Sequence, residues 1–258
     1  MHPSESGHWY AGEDFDIYKR GDQVDRVPGA DGVKRVKPDR RHAKKFKLYP
    51  GVTSVIRQLA KPGLDHWKRN QDMMAFATLP EIKGEAVEDR IKRVMEDADQ
   101  HAREAAEWGT QLHKWVQYFL EANSLEIVPK PWQPWVTAVW EKLSDYADYG
   151  YWKCEETVIH PIGYGGKVDL YCPLWVMDLK GREWKKKDTP RPYFDNAMQL
   201  AAYDFALAGH SNRHIANVFV NRTRPEVHVH EWTDEDRAQA LEAFRHLLAV
   251  WRITNGIS

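Results

Sequence analysis

Two periodicities divide the chain. From about residue 84 to residue 123, and again after Pro134, apolar residues recur three and four apart, as on one face of a helix. Trp108, Leu112, Trp115, Phe119 and Leu120 mark the first stretch, and Val136, Val139, Trp140, Leu143 and Tyr146 the second. Beyond residue 150 the period shortens. CEETVIH (154–160), GGKVDLYC (165–172) and LWVMDLK (174–180) read as strands, with Gly163, Gly165 and Pro173 at the turns. A helix over about 192–208, strands over 214–221 and 226–232 and a helix over about 234–253 complete the order. Helices followed by strands, with a helix inserted among the strands, describe one α/β domain rather than two.

Upstream of this pattern the chain is polar. Residues 1 to about 32 are rich in Gly and Asp and end in the turn cluster VPGADG (27–32). Residues 33–47, VKRVKPDRRHAKKFK, carry eight Lys or Arg against the single Asp39. Composition leaves a solvated basic arm and a phosphate-binding arm both open. Order is expected from Tyr49 onward, which divides the chain into a weakly ordered arm at 1–48 and one domain at 49–258. Pro50-Gly51 makes a turn, Val52-Thr53-Ser54 leads into a short helix with Val55, Ile56 and Leu59, and Pro62-Gly63 breaks it before Leu64 and Trp67. Thr53 or Ser54 is expected to cap that helix.

The chain has 258 residues, 42% hydrophobic and 29% charged, enough apolar material for one sizeable core without staples. Its net charge of −1 does not advertise a nucleic-acid partner, so any such evidence must be local. Two cysteines, Cys154 and Cys172, exclude a disulfide framework, a four-Cys zinc site and a four-Cys iron–sulfur cluster within this chain. The opening MHPSESGHWYAGEDFD lacks a basic segment followed by an apolar one, and no apolar run is long enough to span a bilayer. The expectation is a soluble protein of a reducing, cytoplasmic compartment, with no membrane partner. No Walker A motif is present, so no ATP is expected to bind.

The chemistry concentrates in GYGGKVDLYCPLWVMDLKGRE, residues 163–183. If Pro173-Leu174 is a two-residue turn, Leu170 pairs with Met177 and Asp169 falls opposite Asp178. Opposed carboxylates repel unless a cation lies between them or one is protonated. Lys180, two residues beyond Asp178, projects from the same strand face. Such a set can bind a hard divalent cation and hold a water. The plainer alternative is a pair of solvated or salt-bridged aspartates. Val168, Leu170, Val176, Met177 and Leu179 bury the hairpin around them, and unpaired buried charge is costly, which favours a paired or metal-binding role.

Gly166-x-x-Asp169, Asp178-x-Lys180 and Gln199-x-x-x-Tyr203, preceded by Gly109-Thr110-x-x-His113, Glu156-x-Val158 and YPGVTSVIRQLAKPGLDHW at 49–67, together resemble the RecB-like and phage-exonuclease branch of the PD-(D/E)XK nucleases. The resemblance spans about residues 49–253. It implies a restriction-endonuclease-like αβα core with a central mixed sheet, N-terminal helices and a C-terminal helix. It also implies a divalent-metal-dependent DNA exonuclease, with Mg²⁺ or a substituting Mn²⁺ and no iron–sulfur cluster. Asp169, Asp178, the Leu179 carbonyl and His113 would hold the ion, Lys180 would polarise the attacking water, and Glu156 would sit near the metal or its water.

Gln199 and Tyr203, four apart on one helix face, would support Lys180 and touch DNA; the alternative is a helix that merely packs Tyr203. Ser54 and Thr53 would meet a phosphate or serve only as caps. KGREWKKKDTPR (180–191), with Arg182 and Lys185, would meet the DNA backbone, and Trp184 a base. An endonuclease or structure-specific nuclease with the same residues, or a non-catalytic DNA-binding recombination partner, fits the same motifs. By analogy the setting is phage DNA recombination or processing in a bacterial cytoplasm, with a single-strand annealing or recombination protein as a candidate partner.

Overall fold

The structure, a computed structural model, describes residues 8–29, 34–60, 62–208 and 213–257. In chain order, β1 (Trp9–Ala11), β2 (Val27–Pro28) and β3 (Arg35–Val36) precede α1 (Arg40–Phe46), β4 (Leu48–Pro50), α2 (Val52–Ile56) and α3 (Pro62–Thr78). The long α4 (Val87–Ala122) and α5 (Gln133–Leu143) lead into β5 (Lys153–His160), β6 (Tyr164–Tyr171) and β7 (Trp175–Arg182). Then follow α6 (Phe194–Ala208), β8 (His214–Asn221), β9 (Val227–Glu231) and α7 (Asp234–Asn255). Among the described residues no helix is long and apolar enough to cross a membrane.

The last five strands form one sheet in the order β5-β6-β7-β8-β9, with β7 and β8 parallel and every other pair antiparallel. The connection from β7 to β8 runs through α6, as a parallel pair requires a crossover. The fold is therefore α/β with a central mixed sheet and helices at both ends of the chain, as the pattern and the resemblance led one to expect. Period-two alternation gives the sheet two apolar faces. On β7, Val176 joins a core with α2, α6 and α7, whereas Met177 and Leu179 join a core with α4 and α5. On β8, Ile215 faces the first core and Ala216, Val218 and Val220 the second.

The N-terminal segment differs from expectation. Residues 8–29 and 34–48 are not a weakly ordered arm but fold onto the domain, because most of their few apolar residues are used, Ile17 being the exposed exception. Trp9, Tyr10, Ala11, Val24 and Val27 are buried, and Trp9 packs edge-on against Trp251 of α7. β1 pairs with β4, and a Cβ on Gly165 of β6 would collide with the Tyr10 ring, so glycine there makes room for the segment. The basic run is partly neutralised by this packing: Arg35 pairs with Asp16 at 2.7 Å and Lys47 with Glu13 at 2.9 Å. Asp39, its one acid, caps α1 by accepting from the Arg41 and His42 N–H groups. Residues 1–7 and the last three residues of VPGADG lie outside the described residues, as do the side chains of Leu64 and Trp67.

The cap expected of Thr53 or Ser54 is not formed either. Gly51 occupies the N-cap of α2, Thr53 and Ser54 stand inside the helix, and the buried Ser54 Oγ has no hydrogen-bond partner among the described residues. Gly51 bridges to Gly165, which fixes where the helix starts one position before any hydroxyl.

If the N-terminal segment is part of the fold, Trp9→Ala should lower the unfolding free energy by about 3–5 kcal/mol, the usual cost of emptying a large aromatic site. Chemical denaturation would measure it; a midpoint equal to that of the wild type would mean that the segment contributes nothing to stability.

Candidate metal centre

β6 and β7 pair only at Leu170↔Met177 and Tyr171↔Val176. The hairpin register expected from Pro173-Leu174 is therefore the one observed, and beyond it the strands part. Asp169 stands at the mouth of the gap. Leu179, on the far side, has no β6 residue to pair with, and a backbone donor and acceptor left open must be satisfied some other way. The Leu179 N–H donates to Asp169 Oδ2 at 2.9 Å, and its carbonyl meets His113 Nε2 at 3.1 Å. The parting of two strands thus supplies the site with a backbone carbonyl.

His113 reaches the gap from the C-terminal half of α4, seated by the buried Leu112 and Val116 on either side. Its Nδ1 lies 3.2 Å from Glu155 Oε1 and 3.6 Å from Asp169 Oδ1. Ligand atoms of His113, Glu155 and Asp169 all come within 4.8 Å of one another, the arrangement a metal ion needs. Lys167 pairs with the other oxygen of Glu155 at 2.6 Å. The three residues open onto a cleft of about 560 Å³, also lined by Gly109, Lys114 and Lys180.

Behind this cluster lies a second layer. Asp178 is 1% exposed, and three side chains hold it. Lys180 Nζ and Gln199 Nε2 donate to its Oδ1 at 2.6 and 3.1 Å, and Asn217 Nδ2 donates to Oδ2 at 2.9 Å. Asn217 is itself oriented by the Trp232 indole N–H, at 2.9 Å. Gln199 further donates to the Tyr203 hydroxyl at 3.2 Å and accepts from Lys180 at 3.5 Å. A Cβ on Gly166 would stand 2.3 Å from the Tyr203 ring, so only glycine lets that ring lie against β6.

The electrostatics follow from crowding acids in a largely buried gap. Burial raises the pKa of Asp169, Asp178 and Glu155 add to it, and His113 and Lys180 oppose it, leaving Asp169 at about 7. Burial alone would lower His113, but Asp169, the Glu155 hydrogen bond and Asp178 outweigh it and push the imidazole to about 9. Burial also works against the charge on Glu155, yet His113 and Lys167 hold its carboxyl below the usual range. Lys180 likewise keeps its proton, because Asp178 and Asp169 outweigh its burial. Burial, with Asp169 beside it, puts the Tyr203 phenol well above its ordinary value.

Imidazole with an acceptor at each nitrogen is held as imidazolium, and a bound cation would take the place of that proton. One nitrogen, two carboxylates and a carbonyl make a mainly hard donor set that suits Mg²⁺ or Mn²⁺. The residues fit a divalent ion.

Of the residues singled out from sequence, His113, Asp169 and the Leu179 carbonyl meet at the cluster, and Asp178, Lys180, Gln199 and Tyr203 form the layer behind it. Asp178 is not among the groups within metal-binding reach of one another. Glu156 is a correction. Its side chain is exposed and accepts from the Tyr171 hydroxyl, while its neighbour Glu155 enters the gap. The physical reason is backbone: Glu155 takes φ of 53° inside a strand. Cys154 therefore faces the α4 side and Val158 the α6 side, although their spacing would put both on one face. Asn217, a polar side chain in the apolar run HIANVFVN, is the signal that went unread. Arg182 lies beyond the gap with its guanidinium over the Tyr193 ring, and Lys185 is exposed. The Trp184 indole N–H points to Glu226 at 3.3 Å.

No family model matches the chain, and no curated protein matches it. Among solved structures it is similar to a "putative exonuclease" from Eubacterium rectale, at 17% identity over 58% of this chain and 69% of that one, with a TM-score of 0.37. It is also similar to a protein designated SSO0001, at 16% identity over 54% of this chain and 74% of that one, with a TM-score of 0.25. Likenesses at these scores carry no argument about this chain.

Glu155→Gln, Asp169→Asn and His113→Gln should each weaken Mn²⁺ binding by more than about tenfold, as loss of a metal-site partner does, and Glu156→Gln should leave it unchanged. Calorimetric titration of the ion decides it. Equal losses from Glu155 and Glu156 would remove Glu155 from the centre.

Proposed function

We propose that this chain is a divalent-metal-dependent deoxyribonuclease of the PD-(D/E)XK type that hydrolyses phosphodiester bonds, acting as an exonuclease. One observation carries the reading: a His/Glu/Asp cluster fit for a metal ion lies directly beside a lysine whose ammonium is fixed by a buried aspartate. His113, Glu155, Asp169 and the Leu179 carbonyl would hold Mg²⁺ or Mn²⁺, with Asp178 close behind. Such an ion, when bound, lowers the pKa of a water and polarises a phosphoryl oxygen.

The chain's own groups supply the rest. Lys180 Nζ has three N–H bonds; among the described residues Asp178 and Gln199 take two, and the third would serve a water or a phosphate oxygen in the cleft. A fixed ammonium stabilises charge that develops on the phosphoryl oxygens without reorganising as the reaction proceeds. Gln199 keeps the ammonium in place through Asp178 and is itself braced by Tyr203. Tyr203 in this reading is a support for Gln199, and its burial keeps it off the substrate.

The cleft continues past Gly181 to a second of about 400 Å³ lined by Gly63, Arg182, Tyr193 and Arg222. That course suits a nucleic-acid strand, with Arg182, Lys185 and Arg191 toward its phosphates. Arg222 is already paired with Glu183 at 2.5 Å and adds little net charge. Thr53 and Ser54 lie on α2, which packs on α6 and β6 and so borders the same end of the sheet; a phosphate contact there rests on the resemblance alone. So do a role in phage DNA recombination or processing and a single-strand annealing or recombination partner. Free thiols at Cys154 and Cys172 agree with a bacterial cytoplasm.

Linear end-labelled DNA and closed circular DNA, incubated with Mg²⁺, Mn²⁺ or EDTA, test the reading. Loss of the linear DNA alone, abolished by EDTA and by Lys180→Ala with DNA binding retained, is the expected result. Cutting of the circle would make the enzyme an endonuclease, and binding without cleavage under any metal would leave a DNA-binding protein.

A further inference from the structure

α4 is a continuous helix of 36 residues, about 54 Å at 1.5 Å per residue. Only its second half lies on the sheet. In its first half Val94 and Ala98 pack against Ala75 of α3, and the apolar stripe beside them has no cover: Val87 is 68% exposed, Ile91 51% and Met95 59%. Apolar residues of this size, repeated along one helix face, are a mark of an interaction surface.

The charges along the edge of this stripe say what fits it. Glu88, Lys92, Asp99 and Arg103 are spaced four, seven and four apart, so all four lie along one side of the helix. All are exposed, and none has an ion-pair partner among the described residues. The spacing would let Glu88 reach Lys92, and Asp99 reach Arg103, within the helix, yet neither pair closes. Of the other charges nearby, Arg90 is committed to Glu81 at 2.5 Å and Arg93 to Glu85 at 2.7 Å, while Asp89 and Glu96 are exposed and have no ion pair among the described residues.

We propose that α4 pairs with α4 of a second copy of this chain, antiparallel, about a two-fold axis between Met95 and Glu96. In that register each of these four charges meets its opposite: Glu88 faces Arg103 of the second copy and Lys92 faces its Asp99, both twice by symmetry. Met95 meets its own equivalent at the axis, and Ile91 falls against the small Ala102 of the other helix. A parallel pairing in register would put the two rows of charge on opposite sides of the contact and leave all four unmatched. An isologous contact of this kind closes as a dimer and leaves no surface for further addition. The apolar strip is short, so the dimer is held in good part by the charge pairs and weakens with salt. Pairing of the arms is independent of any activity at the cleft.

Sedimentation velocity over a concentration series, at low and at high salt, tests this on the full chain. The wild type is expected to pass from monomer to dimer with concentration, less readily at high salt. Lys92→Glu should weaken the dimer, and Lys92→Glu combined with Asp99→Lys should restore it, which a merely structural effect on α4 would not do. Met95→Cys, at an exposed position, should give a covalent dimer on oxidation. A wild type that stays monomeric throughout would overturn the proposal. So would a dimer indifferent to Lys92→Glu and not trapped through Met95→Cys, and so would a failure of the paired charge swap to restore association.

Discussion

Three carboxyl groups, those of Glu155, Asp169 and Asp178, are brought to one gap in the sheet, and like charges in a medium of low polarity repel strongly. The surroundings are arranged to make that tolerable. His113 and Lys167 lie against Glu155, Lys180 against Asp178, and the Leu179 N–H against Asp169. Each cation comes from a different element, so α4, β6 and β7 must all be in place before the acids can be. The gap itself arises because β6 and β7 separate after two pairs. Had the ladder continued, the Leu179 carbonyl would be spent on β6 and Asp169 would have no backbone donor to hold it.

The layer behind the acids depends on two residues whose value lies in shape. Gly166 permits the Tyr203 ring to approach β6, the ring hydroxyl receives Gln199, and Gln199 reaches both Asp178 and Lys180. On the other side Trp232 fixes Asn217, and Asn217 takes the second oxygen of Asp178. Asp178 is therefore clamped from α6, from β8 and from its own strand. A carboxylate so held cannot turn away from Lys180, and the lysine ammonium inherits that fixity.

Much of this was legible in the residues, and the exceptions are instructive. The β6–β7 register followed from Pro173-Leu174 because turn length alone determines which residues face each other. His113 was legible only through Gly109-Thr110, since nothing in helical spacing separates a ligand from a packed histidine. Glu155 and Glu156 were not separable: alternation assumes an extended backbone, and a left-handed residue within β5 breaks it at the one place that matters. The packed N-terminal segment was hidden by averaging. Its composition is polar overall, but Trp9, Tyr10 and Val27 are few, large and completely used. Thr53 and Ser54 were plausible caps on chemistry, and the bridge from Gly51 to Gly165 overrode it.

α4 runs through two environments. Its C-terminal half is buried among Leu112, Val116, Leu120 and the sheet, where it presents His113; its N-terminal half leaves the sheet and is covered by α3 and the segment that follows it. A helix is stiff over this length, because bending it strains consecutive backbone hydrogen bonds. Whatever holds the N-terminal half therefore limits the angles available to the half that carries His113. The small residues between them, Ala105, Ala106 and Gly109, keep the helix surface low where it passes the cleft. A Cβ at Gly109 would meet nothing within 4 Å among the described residues. It would stand in the opening of the cleft, so the open space at this position belongs to whatever enters it.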